Sequence, residues 1–136
     1  MSTPFSTPQD AEDAYYDAID ERDIDAMMAV WEDSDETLCL LPMMPAQQGN
    51  ADIRQAWEPL LGPGMQLDMT VKHLSWIESG EIAIHLIEEQ VQAPGQPGSQ
   101  SVYATNIYRK GADGWRILVH QNSPTPPPNL QMPDIG

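Results

Sequence analysis

Residues Ser101–Pro124 read SVYATNIYRKGADGWRILVHQNSP, and this stretch predicts two β-strands joined by a tight turn. The turn is Gly111–Gly114, a cluster of residues typical of a hairpin connection. Because strand side chains alternate between two faces, Asn106 and Tyr108 share one face of the first strand with Ala104. The hairpin therefore predicts a sheet in which a polar amide lies among apolar side chains.

The return strand begins at Trp115, and alternation groups Val119 and Gln121 with it on one face. The same alternation places His120 on the opposite face, with Ile107 of the first strand. Both faces carry apolar residues, but one layer of helices covers only one face of a sheet. We therefore expect the second face to be covered by other strands or by a second subunit.

The N-terminal part of the chain predicts helices. Thr7 is a candidate cap, and apolar residues at helical spacing follow it as far as Ile19. The pattern breaks at residues 21–23 and resumes with a second, shorter stripe, for which Asp23 is a candidate cap. Asn50 is the predicted cap of a third helix that contains Trp57.

The remaining segments predict strands at 37–41, 65–77 and 82–93, with turns at glycine and proline clusters between them. Helices followed by a run of antiparallel strands indicate an α+β fold. The expected shape is a cone, in which three helices pack on a strongly curved, mainly antiparallel sheet and leave a pocket between them. The domain is predicted to span 8–124, after a short leader at 1–7 and before a proline-rich tail at 125–136.

The charge of the chain excludes some partners. Its 136 residues include 21 acidic and 6 basic side chains, a formal charge of −15. Nucleic acids and anionic membranes require a basic surface, so neither is an expected partner. Residues 1–8 lack the basic start and the apolar run of a secretory signal, and no run approaches membrane-spanning length. A cytoplasmic location is therefore the default expectation.

Three segments resemble a known family: DAYYDAIDERDIDAMMAVWEDSDETLCLLP, GNADIRQAW and ATNIYRKGADGWRILVHQNSP. They are similar to the nuclear transport factor 2-like superfamily, and within it to the SnoaL-like and ketosteroid-isomerase-like branch. The resemblance covers about residues 8–124. It implies the cone fold, but this fold hosts isomerases, dehydratases, cyclases, epoxide hydrolases, binding proteins and dimerisation modules.

The resemblance also implies site residues. A ketosteroid isomerase uses a carboxylate base, with a tyrosine and a protonated acid as donors to the developing enolate. Tyr15 matches the tyrosine and Asn106 matches the acid, but Leu41 stands where the base is expected and cannot accept a proton. Steroid isomerisation by that mechanism is therefore not expected. The residue sets of the cyclases and epoxide hydrolases find no clear match either.

The predicted pocket for a small hydrophobic molecule is lined by Tyr15, Leu41, Trp57, Asn106, Tyr108, Val119 and Gln121. Reserve candidates for acid–base chemistry are Glu88, Glu89 and His85, and alternation directs only one of the two glutamates inward. His73 and His85 lie on neighbouring strands and are able to approach each other. They do not form a metal-binding signature with His120, so no metal site is expected. No phosphate-binding glycine loop or dinucleotide motif is present, and no cofactor is predicted.

Two interpretations remain open. The first is a SnoaL-like enzyme with isomerase, dehydratase or cyclase type chemistry on a small hydrophobic molecule. The second is a non-catalytic ligand-binding or dimerisation module. A carboxylate or histidine at the bottom of the pocket, close to Tyr15 or Asn106, would favour the enzyme. In either case Tyr103, Ile107 and Leu118 would form an exposed apolar patch, which predicts a homodimer through the outer face of the sheet.

Overall fold

The computed structural model of the chain describes residues 5–42, 44–63, 68–92 and 100–125. The described residues form three helices, α1 (Pro8–Glu21), α2 (Ile24–Ala29) and α3 (Asn50–Leu60). They also form strands β1 (Leu38–Leu40), β2 (Gln47–Gln48), β3 (Asp68–Ser79), β4 (Ile82–Gln92), β5 (Gln100–Gly111) and β6 (Gly114–Pro124). The predicted α+β fold is confirmed. None of the described helices has the length and apolar character needed to cross a membrane.

The starts of the first two helices follow the sequence signals. The Thr7 hydroxyl accepts a hydrogen bond from the Asp10 amide at 3.0 Å, and Asp23 caps α2 by accepting from Ala26. Arg22 adopts a left-handed conformation and ends α1, where the joint was predicted. Each predicted helix therefore forms within a few residues of its expected limits.

The start of α3 differs from the prediction. Gly49, with φ of 84°, occupies the cap position, and Asn50 is the first helical residue. The Asn50 side chain instead bridges to an earlier segment: its amide donates to the Glu32 carbonyl and its oxygen accepts from the Ser34 amide. Asn50 thus anchors the loop after α2 rather than capping the helix.

The strands form one sheet in the order β2-β1-β6-β5-β4-β3. The pairs β3–β4, β4–β5 and β5–β6 are antiparallel, whereas β1 runs parallel to β6. The two-residue strand β2 lies in a segment for which no strand was predicted. One face of the sheet packs on the helices, and we call it the concave face; the other is the convex face.

Burial alternates along the strands as predicted for β4 and β5. His85, Ile87 and Glu89 are buried on the concave face, and so are Asn106 and Tyr108 on the neighbouring strand. The apolar core lies between this face and the helices. It includes Ala11, Tyr15, Ile19, Met27, Trp31, Ile53, Trp57, Trp115 and Ile117.

A β-bulge in β6 reverses the predicted alternation in the second half of that strand. Ile107 pairs with Val119 but the next residue, Tyr108, pairs with Ile117, so Leu118 is an extra residue. As a result His120 turns to the concave face, where it is 1% exposed, and Gln121 is exposed on the convex face. The predicted faces of Val119, His120 and Gln121 are wrong, because alternation alone does not reveal an inserted residue.

The domain limits stay predictions. Helix α1 begins at Pro8 and strand β6 ends at Pro124. The proline-rich tail from 126 onward and residues 1–4 lie outside the described residues.

Candidate functional site

A cavity of about 290 Å³ lies between the helices and the concave face. Its walls are mostly apolar and include Ile19, Leu41, Trp57, Leu60, Met69 and Val91. Its polar lining includes Tyr15 on α1, Glu89 on β4, Gln100 on β5, and His120 and Asn122 on β6. An apolar cavity with a few convergent polar groups is the usual form of a small-molecule site.

A network of polar side chains lies at the bottom of this cavity, and we call it the floor cluster: Tyr16, Glu89, Asn106, His120 and Asn122. Glu89 is its centre and is only 3% exposed. The Tyr16 hydroxyl donates to Glu89 Oε2 at 2.6 Å, and Asn122 Nδ2 donates to Glu89 Oε1 at 2.9 Å. The buried carboxylate is therefore held by two neutral donors.

The orientation of Asn106 assigns the proton on one side of the His120 ring. Asn106 Nδ2 donates to the Tyr16 hydroxyl oxygen at 3.3 Å, so its Oδ1 faces His120 Nδ1 as an acceptor at 2.5 Å. His120 Nδ1 therefore carries a hydrogen and donates it to Asn106. This leaves Nε2 as the ring atom that is able to gain or lose a proton.

His120 Nε2 faces groups that stabilise a proton. It lies 3.0 Å from Asn122 Oδ1 and 3.9 Å from Glu89 Oε2. The Asn122 oxygen is fixed in this direction because its amide nitrogen already donates to Glu89 and to the Tyr103 carbonyl. Two acceptors face each other when Nε2 is unprotonated, so the surroundings of this atom favour its protonated form.

Burial opposes the protonated form of His120. Removal from water lowers the pKa of His120 below its usual 6.5, against the carboxylate of Glu89 and the Asn122 hydrogen bond, which raise it. The ring is thus neutral at neutral pH yet surrounded by groups that stabilise its charge. Burial also raises the pKa of Tyr15 and Tyr16 well above 10, so both phenols stay protonated as hydrogen-bond donors.

Tyr15 differs from its neighbour Tyr16. Its ring packs 5.0 Å from the His120 ring and edge-on to Trp57 at 5.7 Å, measured between ring centroids. Among the described residues, no hydrogen bond involves the Tyr15 hydroxyl, although this residue lines the cavity. Its O–H is therefore available to a ligand.

The structure places the sequence-predicted pocket residues in three groups. Tyr15, Leu41 and Trp57 line the cavity together. Asn106 and Tyr108 are buried on the concave face, but Asn106 lies behind His120 and Tyr108 packs against His85. Val119 and Gln121 belong to the convex face and do not reach the cavity, because the bulge in β6 turns their side chains away from it.

The reserve acid–base candidates lie in three different environments. Glu89 points into the cavity, whereas Glu88 lies on the convex side of β4. His85 is fully buried but belongs to a different cluster. Sequence reasoning missed Tyr16, His120 and Asn122 as site residues. The one available signal was that Tyr16 lies beside the apolar stripe of α1 rather than on it.

That second cluster joins Glu12 on α1 to two histidines, and we call it the Glu12 cluster. His73 Nε2 lies 2.6 Å from Glu12 Oε2, and His85 Nδ1 lies 3.2 Å from Glu12 Oε1. Burial acts to raise the pKa of Glu12, but hydrogen bonds from His85 and His73 more than offset it, and the net shift is downward. The prediction that His73 and His85 approach each other was correct, but their link through Glu12 was missed.

Comparison with known proteins identifies similar folds. The family model for the SnoaL-like domain matches residues 9–127. A structure from Thiobacillus denitrificans, provisionally assigned as a calcium/calmodulin-dependent protein kinase type II association domain, is 32% identical, with a TM-score of 0.86 over 92% of this chain and 100% of that one. No curated protein sequence matches the chain at a significant level.

Two more distant structures show the same fold. A provisionally assigned dehydratase of the nuclear transport factor 2-like family from Streptomyces avermitilis is 20% identical, with a TM-score of 0.74 over 86% of this chain and 93% of that one. A ketosteroid isomerase-like protein from Erwinia carotovora atroseptica is 19% identical, with a TM-score of 0.66 over 88% and 94% of the two chains. The predicted resemblance to the superfamily is confirmed.

Proposed function

The chain belongs to the family of SnoaL-like domains, and we propose that it is a proton-transfer enzyme for a small, largely apolar carbonyl compound. The observation that supports this most directly is a buried histidine, His120, at the bottom of an apolar cavity, with the carboxylate of Glu89 beside it. A histidine or carboxylate in this position was the feature that would favour an enzyme over a binding module.

His120 Nε2 is the proposed general base. Burial keeps the ring neutral, and the hydrogen bond from Nδ1–H to Asn106 holds it in one orientation. When Nε2 takes a proton from the carbon next to a carbonyl group, the dipole of the Asn122 side-chain carbonyl, whose oxygen lies 3.0 Å from Nε2, stabilises the charge that develops on the ring. Glu89 then stabilises the positive ring from 3.9 Å. These groups are in place before charge develops, which is how enzymes lower such barriers.

Tyr15 supplies the complementary donor. Removing a proton next to a carbonyl leaves negative charge on the carbonyl oxygen, which becomes an enolate. The free hydroxyl of Tyr15 lies on the cavity wall beside the His120 ring and donates to that oxygen in the proposed complex. The proton held by His120 then returns at another carbon in an isomerisation, or protonates a departing hydroxyl group in a dehydration.

The cavity limits the substrate class. Its volume of about 290 Å³ and its apolar walls fit a compact hydrophobic molecule rather than a sugar or a nucleotide. Leu41 lies on the wall where the related isomerases have their base, so the proposed base is instead His120 on β6, the strand that pairs with β1.

The test uses exchange of carbon-bound hydrogen for deuterium. A panel of small hydrophobic ketones and enones is incubated with the protein in D₂O, and loss of the proton next to the carbonyl is followed by NMR. His120→Gln is expected to lower the exchange rate about 10²- to 10⁴-fold, the usual contribution of a general base. Gln121→Ala, the next residue but on the convex face, is the matched control and should exchange like wild type. Equal exchange by the His120 variant and wild type would exclude this mechanism.

We also propose that the chain forms a homodimer through the convex face of the sheet. Leu86 and Tyr103 are exposed there, and Ile84, Ile107 and Val119 are half-buried beside them. Monomers tend to avoid apolar patches of this kind. The similarity to an association domain favours the same interpretation.

Sedimentation equilibrium tests the dimer. We expect a species of about twice the 15.1 kDa chain mass. The Leu86→Asp, Tyr103→Asp double variant is expected to sediment as a monomer, because it places charge in the contact. Glu88→Gln changes a charge on the same face without adding one to the apolar patch, and should leave the dimer intact. A wild-type monomer at micromolar concentration would contradict the proposal.

A further inference from the structure

We propose that Glu12, His73 and His85 form a binding site for a divalent transition metal ion of the zinc class. Each offers one ligand atom, and the three atoms lie within 4.8 Å of one another. The site lies at the edge of the concave face beside α1 and takes no part in the cavity chemistry proposed above. It places on one ion Glu12 and two histidines that lie 61 and 73 residues further along the chain.

The donor set selects the class of metal. Two imidazole nitrogens and one carboxylate oxygen suit zinc and its transition-metal neighbours, whereas magnesium and calcium prefer oxygen ligands alone. Three protein ligands leave a coordination position open, as in catalytic zinc sites. Glu12 and His73 also line a solvent groove with Gln9, Asp13, Asp17 and Val71, which gives the site access to solvent.

Two of the three ligands are held in place by their surroundings. The His85 ring is fully buried between Trp76 and Tyr108, with centroids 3.9 and 4.8 Å away. Glu12 is 1% exposed, and Gln9 Nε2 donates to its Oε2 at 3.0 Å. An outer group that orients a ligating carboxylate in this way is typical of metal sites.

His73 is the ligand that adapts. Its side chain is 40% exposed at the mouth of the groove, so its ring is able to rotate. Ligands bonded tetrahedrally to zinc at about 2.0–2.1 Å lie about 3.3 Å from each other. The contact of 2.6 Å between His73 and Glu12 must therefore open, and His73 must turn toward His85, when the ion enters.

Charge favours entry of a cation. The groove carries Asp13 and Asp17 next to Glu12, and the chain has a formal charge of −15. The groove that leads to the site therefore carries negatively charged side chains both at its opening and at the ligands.

The cluster has unused polar atoms. Within the described part of the chain, His85 Nε2 and the Tyr108 hydroxyl are buried and have no hydrogen-bond partner. A polar cluster that serves only to stabilise a fold is normally satisfied throughout. The Glu12 cluster is therefore not a fully satisfied polar network among the described residues.

Calorimetric titration of zinc into tag-free, metal-stripped protein tests the site. We expect one zinc ion per chain and no comparable binding of magnesium. His73→Gln removes an exposed ligand with little risk to folding, and it should weaken zinc binding more than about 100-fold, since even loss of an outer-shell partner costs 10- to 100-fold. Glu12→Gln should do the same. Asp17→Asn is the matched control: it removes a groove charge but no ligand, and one tight zinc ion should remain.

Tryptophan fluorescence provides a second measurement at the site itself. Trp76 is 45% exposed and packs on the His85 ring, so cobalt bound to His85 should quench its emission. Trp76→Phe should lose most of that quenching while calorimetry still detects one ion. Zinc binding that is equal in wild type and His73→Gln, or that magnesium reproduces, would overturn the proposal.

Discussion

Glu89 and Glu12 are both buried carboxylates on the concave face, and each lies near a histidine, but they contact it differently. Glu12 touches two imidazole rings directly, at 2.6 and 3.2 Å. Glu89 instead accepts hydrogen bonds from Tyr16 and Asn122 and remains 3.9 Å from His120. The floor cluster therefore leaves a ring nitrogen free for a proton, whereas the Glu12 cluster places three ligand atoms around one point.

The surroundings of the two clusters also differ, and the difference matches the two kinds of chemistry. The floor cluster opens into an apolar cavity, which suits a carbon compound, and the Glu12 cluster opens into an acidic groove, which suits a cation. Asn106 on β5 lies between the two clusters, because it pairs in register with His85 on β4 and with His120 on β6. One amide thus separates two sites with different chemistry on one sheet.

The largest expected effect on stability comes from removing the carboxylate of the Glu12 cluster. Glu12→Ala leaves His85 Nδ1 buried without an acceptor and opens a space beside it. We expect the free energy of unfolding to fall by about 3 kcal/mol, the upper range for an orphaned buried group. Urea unfolding measures it, with Gln9→Ala as the control that removes only a donor at the edge of the cluster. A loss below about 1 kcal/mol would show that water reaches Glu12 freely.

Asn106→Leu tests whether the two clusters are independent. It removes the acceptor of His120 Nδ1–H and the donor to Tyr16, so we expect a loss of about 2 kcal/mol in urea unfolding. Deuterium exchange should fall with it, because the ring of His120 is no longer oriented. Zinc affinity should stay near the wild-type value. A large change in zinc affinity would mean that the two clusters act as one network.

Two adjacent tyrosines provide a matched pair. Tyr16→Phe breaks the 2.6 Å hydrogen bond to Glu89 and should cost about 1 kcal/mol of stability. Tyr15→Phe breaks no hydrogen bond among the described residues and should leave stability nearly unchanged. Binding of phenols or enones, followed by tryptophan fluorescence, should show the reverse order and weaken more for Tyr15→Phe. The same order in both measurements would remove Tyr15 as a ligand donor.

The smallest effect is a dependence of stability on pH. The pKa of His120 is lowered by burial in the folded chain, while the unfolded chain keeps a value near 6.5. As the pH falls from 7 to 6, the unfolded state therefore takes up a proton that the folded state does not, and stability falls by roughly 0.5–1 kcal/mol. Comparison of wild type with His120→Gln isolates this contribution from the other histidines. A wild type that gains stability relative to the variant over this range would show that Glu89 outweighs burial.

Local sequence patterns predicted much of the architecture. The caps at Thr7 and Asp23, the hairpin that β5 and β6 form and the alternation along β5 depend on residues within a few positions of each other. The same patterns placed Tyr15, Leu41 and Trp57 around one cavity once the family resemblance supplied the fold. Local preferences and a known chain path are sufficient for these features.

The chemistry of both clusters depended on tertiary structure. The extra residue in β6 turns His120 inward. The two-residue alternation of side chains in a sequence does not show where such an extra residue is inserted. Glu12 meets His85 across 73 residues, on a helix whose other acidic side chains face solvent, so nothing in its local sequence distinguishes it. The sequence by itself determined the helices, the strands and most of their buried faces, because these follow from short-range periodicity. Only the tertiary structure decided which polar groups meet, because strand register and helix docking bring together residues that are distant in the chain.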